Sequence, residues 1–137
     1  MAIRVNLSQV KALEPVSVGW YPCTVERATE GVSQNGNPKI DLQWKIDEGP
    51  NAGRIIFDTL TFTENAMPIV KMKLVNMGFD ADYEDELSAE DFIGLSAELY
   101  VTIEASRGSD ADGNPYPDRN RVSKMRPQSH QPELFKD

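Results

Sequence analysis

A strict alternation of apolar and polar residues in the middle of the chain places the strongest constraint on its fold. Ile40, Leu42, Trp44 and Ile46 are separated from one another by single polar residues. Successive side chains of a β-strand point to opposite faces of the sheet, so this period of two predicts a strand with one face in the core and the other in water. Trp44 is in the apolar set and is therefore expected to be buried.

Two more strands are predicted on the two sides of this one. Residues 19–29 alternate in a similar way, with Cys23 on their apolar face, which predicts a first strand with a small buried thiol. Asn35 and Gly36 supply the backbone conformations that a tight hairpin turn needs. Residues 54–62 are rich in β-branched and aromatic side chains and predict a third strand. The three strands would form a meander.

The second half of the chain predicts one helix and two further strands. Residues 69–77 fit a helix that has Pro68 in its first turn and Gly78 just beyond its end. Residues 95–103 alternate across a long fourth strand, and residues 119–125 predict a fifth strand that pairs back onto it. A loop rich in Gly, Pro, Asp and Asn joins these two strands.

The predicted order is that of a five-stranded OB-type barrel, with one helix between strands three and four. The fold class is therefore predicted to be mainly β, with residues 17–126 forming the OB-like domain. An unrelated α+β sheet or a small sandwich is the alternative that the same elements allow. Residues 1–16 are predicted to be an N-terminal arm, and residues 127–137 a flexible C-terminal tail.

Length and hydropathy limit the class of protein. The chain has 137 residues, which fits one domain. Its mean hydropathy is −0.47, and the lack of a long apolar run argues against a membrane-spanning helix and a membrane partner. Residues 1–10 do not combine a basic region with an apolar stretch, so we expect no secretory signal and a cytoplasmic location.

Cysteine and histidine are too few for redox, zinc or hydrolytic chemistry. Cys23 is the only cysteine and His130 the only histidine. An internal disulfide and a Cys/His zinc site are therefore excluded, and the chain offers no nucleophile with an adjacent base. We accordingly predict a protein that is not an enzyme and that has no metal site and no cofactor.

The charges are divided between two parts of the chain. The formal net charge is −8, from 14 basic and 22 acidic residues. Seven of the acids stand in a segment without a base: Asp80, Asp82, Glu84, Asp85, Glu86, Glu90 and Asp91. Residues 119–126, by contrast, contain four bases and no acid. We interpret the acidic segment as a solvated loop that lies away from a basic surface.

Binding of nucleic acid by a small barrel needs cations for phosphates and aromatic faces for bases. Trp20 and Phe57 fall on the polar faces of their strands, and Tyr116 is in the long loop, so all three are expected to be exposed. The cations expected beside them are Arg27, Lys39, Lys45, Arg54, Arg107, Arg119, Arg121 and Lys124. The alternative is that these are ordinary surface charges.

The tail contains a second candidate site. Gln131 is followed three and four residues later by Leu134 and Phe135, which resembles the short peptide that binds the bacterial sliding clamp. A mobile apolar pair can dock into a pocket of a partner. A chance match, or packing of the pair against this chain, is the alternative. The tail lacks the strong acidity that is usual in single-stranded-DNA-binding proteins that recruit partners.

Several turns and strand starts carry a resemblance to a known family. The residues are Gly19-Trp20-Tyr21, Ser33-Gln34-Asn35-Gly36, Leu42-Gln43-Trp44, Gly49 to Asp58, and Gly94-Leu95. In them the chain resembles a phage family long described as a domain of unknown function, encoded in replication and recombination cassettes and regarded as similar to single-stranded-DNA-binding proteins. The resemblance covers residues 17–126 and implies an OB-like fold and binding of single-stranded DNA without sequence specificity.

The leading prediction is thus a non-catalytic single-stranded-DNA-binding protein of a phage-type replication or recombination system. The alternative is a protein-interaction module that recruits a host replication factor, such as the sliding clamp, through the C-terminal peptide. Exposed edges of the barrel are compatible with a homodimer. The choice between DNA and RNA stays open, since it depends on contacts to the 2′-hydroxyl group.

Overall fold

Five antiparallel strands joined in one open sheet form the framework of the fold. The computed structural model describes residues 2–6, 14–105, 108–109, 111–113 and 118–128. The strands are β1 (Gly19–Val32), β2 (Pro38–Ile46), β3 (Ile55–Thr61), β4 (Ser96–Glu104) and β5 (Arg119–Arg126). Helix α1 (Met67–Asn76) and a short 3-10 helix (Ala89–Phe92) lie between β3 and β4. Neighbouring strands follow the order β3-β2-β1-β4-β5.

The mainly β class and the order of three strands, one helix and two strands are confirmed. The edge strands of the sheet are β3 and β5. These two strands contact each other, so the sheet curves enough to bring its edges together. Within the described residues no hydrogen-bonded ladder joins them, and a closed barrel of the OB type is therefore not confirmed.

A β-bulge in the hairpin of β1 and β2 decides which side chains of β1 face outward. Gly36 has a φ of 83°, a conformation that favours glycine, as predicted. Asn35 does not share this positive φ, and the loop spans residues 33–37, so it is longer than the tight turn that was predicted. Along the strands, Val25 pairs with Trp44, but the next pair is Arg27 with Gln43. This β-bulge adds one residue to β1. Beyond it, the inward residues of β1 again pair with the inward apolar residues of β2. The bulge also places Arg27 on the outer face.

The inner face of the sheet forms the hydrophobic core. The burial of Trp44 is confirmed, since its side chain has no exposed surface. The largest fully buried side chains come from the strands, the end of α1 and the 3-10 helix: Trp44, Phe92, Leu42, Ile46, Ile56, Leu60, Met77 and Leu99. Because the strands alternate, each inward apolar residue directs its neighbours to the outer face.

Helix α1 is joined to the inner side of β3 by an ion pair. Pro68 stands in its first turn and Gly78 follows its end, as predicted. Lys73 Nζ contacts both carboxylate oxygens of Asp58, at 2.9 and 3.0 Å. Burial raises the pKa of the Asp58 carboxyl above its ordinary value, and the Lys73 ammonium offsets part of this effect. No helix in the described residues is long and apolar enough to cross a membrane.

The residues before β1 are attached to the sheet. Val16 is buried, and both of its backbone polar groups bond to the side chain of Asn120 in β5, each at 2.9 Å. Arg54 Nη2 donates to the carbonyl oxygen of Glu14 at 2.6 Å. The last residues of the predicted arm are therefore held in place between the start of β3 and the start of β5.

The thiol of Cys23 is expected to resist thiol-reactive reagents in the native protein. Cys23 is fully buried, and burial, with a smaller contribution from the Asp47 charge, raises the pKa of its thiol from 9.0 to about 12. Ellman's reagent should therefore react with it only after unfolding in guanidinium chloride. Rapid reaction of the native protein at neutral pH would contradict the buried position.

The same thiol contributes a dependence of stability on pH. The unfolded thiol ionises near its ordinary pKa of 9.0, whereas the folded one stays neutral until about 12. Below pH 9 the thiol is neutral in both states, and the full stability of the fold is present. As the pH rises from about 9 towards 12, only the unfolded thiol ionises, so the free energy of unfolding falls. Urea denaturation across this range, compared with Cys23→Ala, should show a steeper loss of stability in the wild type.

Candidate nucleic-acid interface

Three outward side chains stand in one row across β1, β2 and β3. Arg27 pairs with Gln43, and Gln43 pairs with Phe57 on its other side. The row begins with an exposed cation and ends with an aromatic ring, and Phe57 has 66% of its surface exposed. Lys45, the next outward residue of β2, is also exposed. This part of the sheet therefore presents both a cation and an exposed aromatic ring, the two kinds of group that proteins use to bind single-stranded nucleic acid.

The row leads into a cleft where β3 meets β5, which we name the β3–β5 cleft. Its volume is about 420 Å³, and the lining residues that bear on binding are Phe57, Asp58, Lys73, Glu104, Arg119 and Arg121. Phe57 comes from one edge strand, and the two arginines come from the other. The curvature of the sheet thus brings together an exposed ring and two cations that are far apart in sequence.

The β3–β5 cleft contains three cations and two carboxylates. Asp58 is bound by Lys73, and the nearby charge of Arg121 also favours its ionised form. Glu104 is the cross-strand partner of Arg119, and Arg121 stands opposite Thr102, which is neutral. Arg119 and Arg121 are both exposed. Each arginine thus has one carboxylate near it, Glu104 for Arg119 and Asp58 for Arg121, and both arginines keep exposed surface for an anion.

A second row lies on the outer face of β1, β4 and β5. Trp20 pairs with Tyr100, and Tyr100 pairs with Lys124. The rings of Trp20 and Tyr100 meet edge to face with their centroids 5.3 Å apart. Lys124 Nζ lies 5.5 Å from the Tyr100 ring centroid, and Arg126 Cζ lies 3.9 Å from that of Trp20. We name these four residues the Trp20 cluster.

Arg126 is fixed over Trp20 by an ion pair. Its Nη2 and Nε atoms lie 2.6 and 2.7 Å from Oε2 of Glu98. Glu98 is 7% exposed, so the carboxylate is held in a partly dry environment and binds the guanidinium firmly. Trp20 retains 37% exposure, but Arg126 covers one face of its ring. A base that stacks on this face has to displace the guanidinium.

The other predicted residues are placed as follows. Lys39 forms a salt bridge of 3.2 Å with Asp41 on its own strand, and Arg54 is engaged by the backbone of Glu14. These two cations are thus less available to a ligand than Arg27 or Lys45. Outside the described residues lie Arg107, Tyr116, Gln131, Leu134 and Phe135.

Three residues at the interface were not predicted from the sequence: Gln43, Tyr100 and Arg126. A signal for Tyr100 was present, because Leu99 and Val101 are its apolar neighbours and their burial directs Tyr100 outward. Arg126 could not be found in the same way. Its place over Trp20 depends on the register of three strands, which no local pattern contains.

Removal of the Arg126 guanidinium is expected to uncover Trp20. In Arg126→Gln the quenching of tryptophan fluorescence by acrylamide should rise. The protein should lose more stability than the about 0.5–1 kcal/mol of the cation–π contact alone, because the nearly buried Glu98 carboxylate also loses its ion-pair partner. The other tryptophan, Trp44, is fully buried, so the added quenching belongs to Trp20. Trp20→Phe is the control variant, because without Trp20 the added quenching should disappear. Unchanged quenching in Arg126→Gln would show that the ring is not covered in solution.

Comparison with known proteins gives a family but no function. The model of the family described as "Protein of unknown function (DUF669)" matches residues 3–132. This range includes all five strands and α1, and the chain therefore belongs to that family. No curated protein matches the chain.

Proposed function

We propose that this member of the DUF669 family binds single-stranded DNA without sequence preference. Bases would stack on exposed aromatic rings, and phosphates would contact the neighbouring cations. The observation that carries the proposal is the β3–β5 cleft, in which exposed Phe57 stands beside Arg119 and Arg121. An aromatic face with two cations at its side is the minimal set that such binding requires.

The position of these groups in the sheet supports the proposal. In the OB fold, nucleic acids bind on the face of strands two and three, and Gln43 and Phe57 are outward residues of β2 and β3. The strand order and the approach of β3 to β5 are those expected of an OB-type barrel, and we propose that the sheet is a variant of that fold. A strand of DNA would run from Arg27 over Phe57 into the cleft.

The distribution of charge points in the same direction. All seven acids of residues 80–91 are described, and none of them lines the β3–β5 cleft. The overall net charge of −8 is thus compatible with a polyanion at this place. The setting that we propose is replication or recombination of a phage type in the cytoplasm of a bacterial host, on the basis of the family resemblance described above. No step of catalysis and no metal is involved.

Fluorescence anisotropy of a labelled oligo-dT tests the proposed function. Titration with the full chain should give saturable binding at low salt, with log K falling against log salt by about 0.7 for each phosphate contacted. Duplex DNA and an RNA of equal length, titrated in parallel, measure the preference for a single strand and for DNA over RNA. No binding at low salt would overturn the proposal.

Deletion of residues 128–137 separates this function from recruitment of a sliding clamp. Binding of oligo-dT should survive the deletion, since the proposed contacts lie in the sheet. Any binding of the clamp should be lost, because Gln131, Leu134 and Phe135 are removed. Loss of oligo-dT binding in a deletion variant that remains folded would move the DNA site to the tail.

A further inference from the structure

A second cleft lies on a different part of the molecule, beside α1. It is enclosed by α1, the hairpin end of β1 and β2, and the loop of residues 79–87, and we name it the α1 cleft. Its volume is about 580 Å³, within the range of ligand-binding sites in proteins. None of its lining residues is shared with the β3–β5 cleft. It is therefore a separate candidate site.

One stripe of α1 forms a wall of this cleft. Met67, Lys71, Leu74 and Val75 lie at the spacing that places residues on a single helix face. Val70 is the only residue of α1 that is fully buried, so the helix leaves much of its apolar surface in water. Val75 in the cleft is 41% exposed. Phe62 and Phe79 add aromatic surface to the floor.

Polar groups around the α1 cleft already have partners. The Tyr83 hydroxyl donates to the carbonyl oxygen of Glu86 at 2.7 Å. The carboxylate of Asp80 accepts the amide of Asp82 at 2.8 Å. These hydrogen bonds shape the loop and leave its carboxylates charged. What the cleft offers to a ligand is thus an apolar lining and the negative charge of its rim.

The rim charge is strong. Residues 80–86 contain five acids and no base, and Asp80 and Asp85 line the cleft directly. Glu30 adds a further carboxylate. Two lysines also line the cleft: Lys39 is paired with Asp41, and Lys71 is exposed on α1. Such a rim repels nucleic acid and anionic lipid and attracts cationic groups.

We propose that the α1 cleft docks a linear basic peptide segment of a partner protein. Two or more apolar side chains of the segment would enter the cleft, and flanking Lys or Arg residues would contact the acidic loop. The charge complementarity selects this occupant over the chain's own tail, which carries Glu133 and Asp137 beside Lys136. The proposal is independent of DNA binding, because the two clefts share no residue.

Selection from a library of random linear peptides, displayed on the surface of a filamentous phage, tests the proposal. The full chain should enrich peptides that combine apolar residues with a net positive charge. Synthetic labelled copies of these peptides should bind the chain in a salt-dependent way. Val75→Lys, which places a cation in the cleft, should weaken this binding by tenfold or more, as expected for a centrally placed residue of an interface.

Met72→Lys is the matched control. Met72 is 47% exposed and lies on the same helix, but it does not line the cleft, so its replacement should leave peptide binding unchanged. Both variants should bind oligo-dT as the wild type does, which separates a failure here from a failure of the proposed function.

Four results would overturn the proposal. The first is enrichment of neutral or acidic peptides, or of none. The second is binding that Val75→Lys leaves intact. The third is tighter peptide binding after deletion of residues 128–137, which would assign the cleft to the tail. The fourth is concentration-dependent self-association that Val75→Lys abolishes, which would assign the cleft to a second copy of the chain.

Discussion

Replacement of Phe57 by alanine is expected to weaken the binding of single-stranded DNA by about 5- to 140-fold, because one stacked base contributes about 1–3 kcal/mol. Phe57 is suited to this role, since it is exposed on the outer face and lies beside Arg119 and Arg121. Stability should change little, because the ring contributes little to the core. The dependence of affinity on salt should be unchanged, since no phosphate contact is removed. Anisotropy titrations of oligo-dT at several salt concentrations measure both quantities.

Two further variants make this experiment decisive. Arg121→Ala should lower the slope of log K against log salt by about 0.7, the value for one phosphate contact. Val32→Ala removes another exposed apolar side chain that lies outside the cleft, and it should bind as the wild type does. Equal affinities for the wild type, Phe57→Ala and Arg121→Ala would remove the β3–β5 cleft from the proposal, even if the protein binds DNA.

Replacement of Lys73 by methionine is expected to destabilise the protein by about 3 kcal/mol, the lower end of the cost of removing one partner of a buried ion pair. The Asp58 carboxylate would lose the ammonium that holds it at 2.9 Å. The two side chains are 14% and 11% exposed, so water replaces the lost contact only in part. Urea denaturation at neutral pH measures the loss.

The double variant Asp58→Asn with Lys73→Met should regain most of that stability, because it removes both charges. Asp58→Asn alone should be destabilised, since it leaves the Lys73 ammonium without its carboxylate. Additive losses in the double variant would show that the two residues do not interact in solution.

The sequence was sufficient for those parts of the fold that depend on local patterns. The period of two in β2 predicted the burial of Trp44, and the same reasoning placed Phe57 on the outer face, where it is found. Gly36 and Pro68 marked the turn and the helix start correctly. In each case the side chain and its immediate neighbours contain the necessary information.

The arrangement of the candidate site depended on contacts between distant strands. The bulge after Val25 sets the outward position of Arg27, and no single strand pattern predicts it. The contact of the Arg126 guanidinium with the Trp20 ring forms only when β1, β4 and β5 are in register. The meeting of Phe57 with Arg121 requires the whole sheet to curve. Local patterns predicted which residues are exposed, but not which of them are neighbours.

The approach of β3 to β5 also affects how the protein resists aggregation. Edge strands are the places where a sheet can add a strand from another molecule and begin to grow into a fibre. Here the two edges approach each other, so an incoming strand meets the cleft that Phe57 and Arg121 line. The charge of the arginines opposes such growth, and an oligonucleotide in the same space would block it.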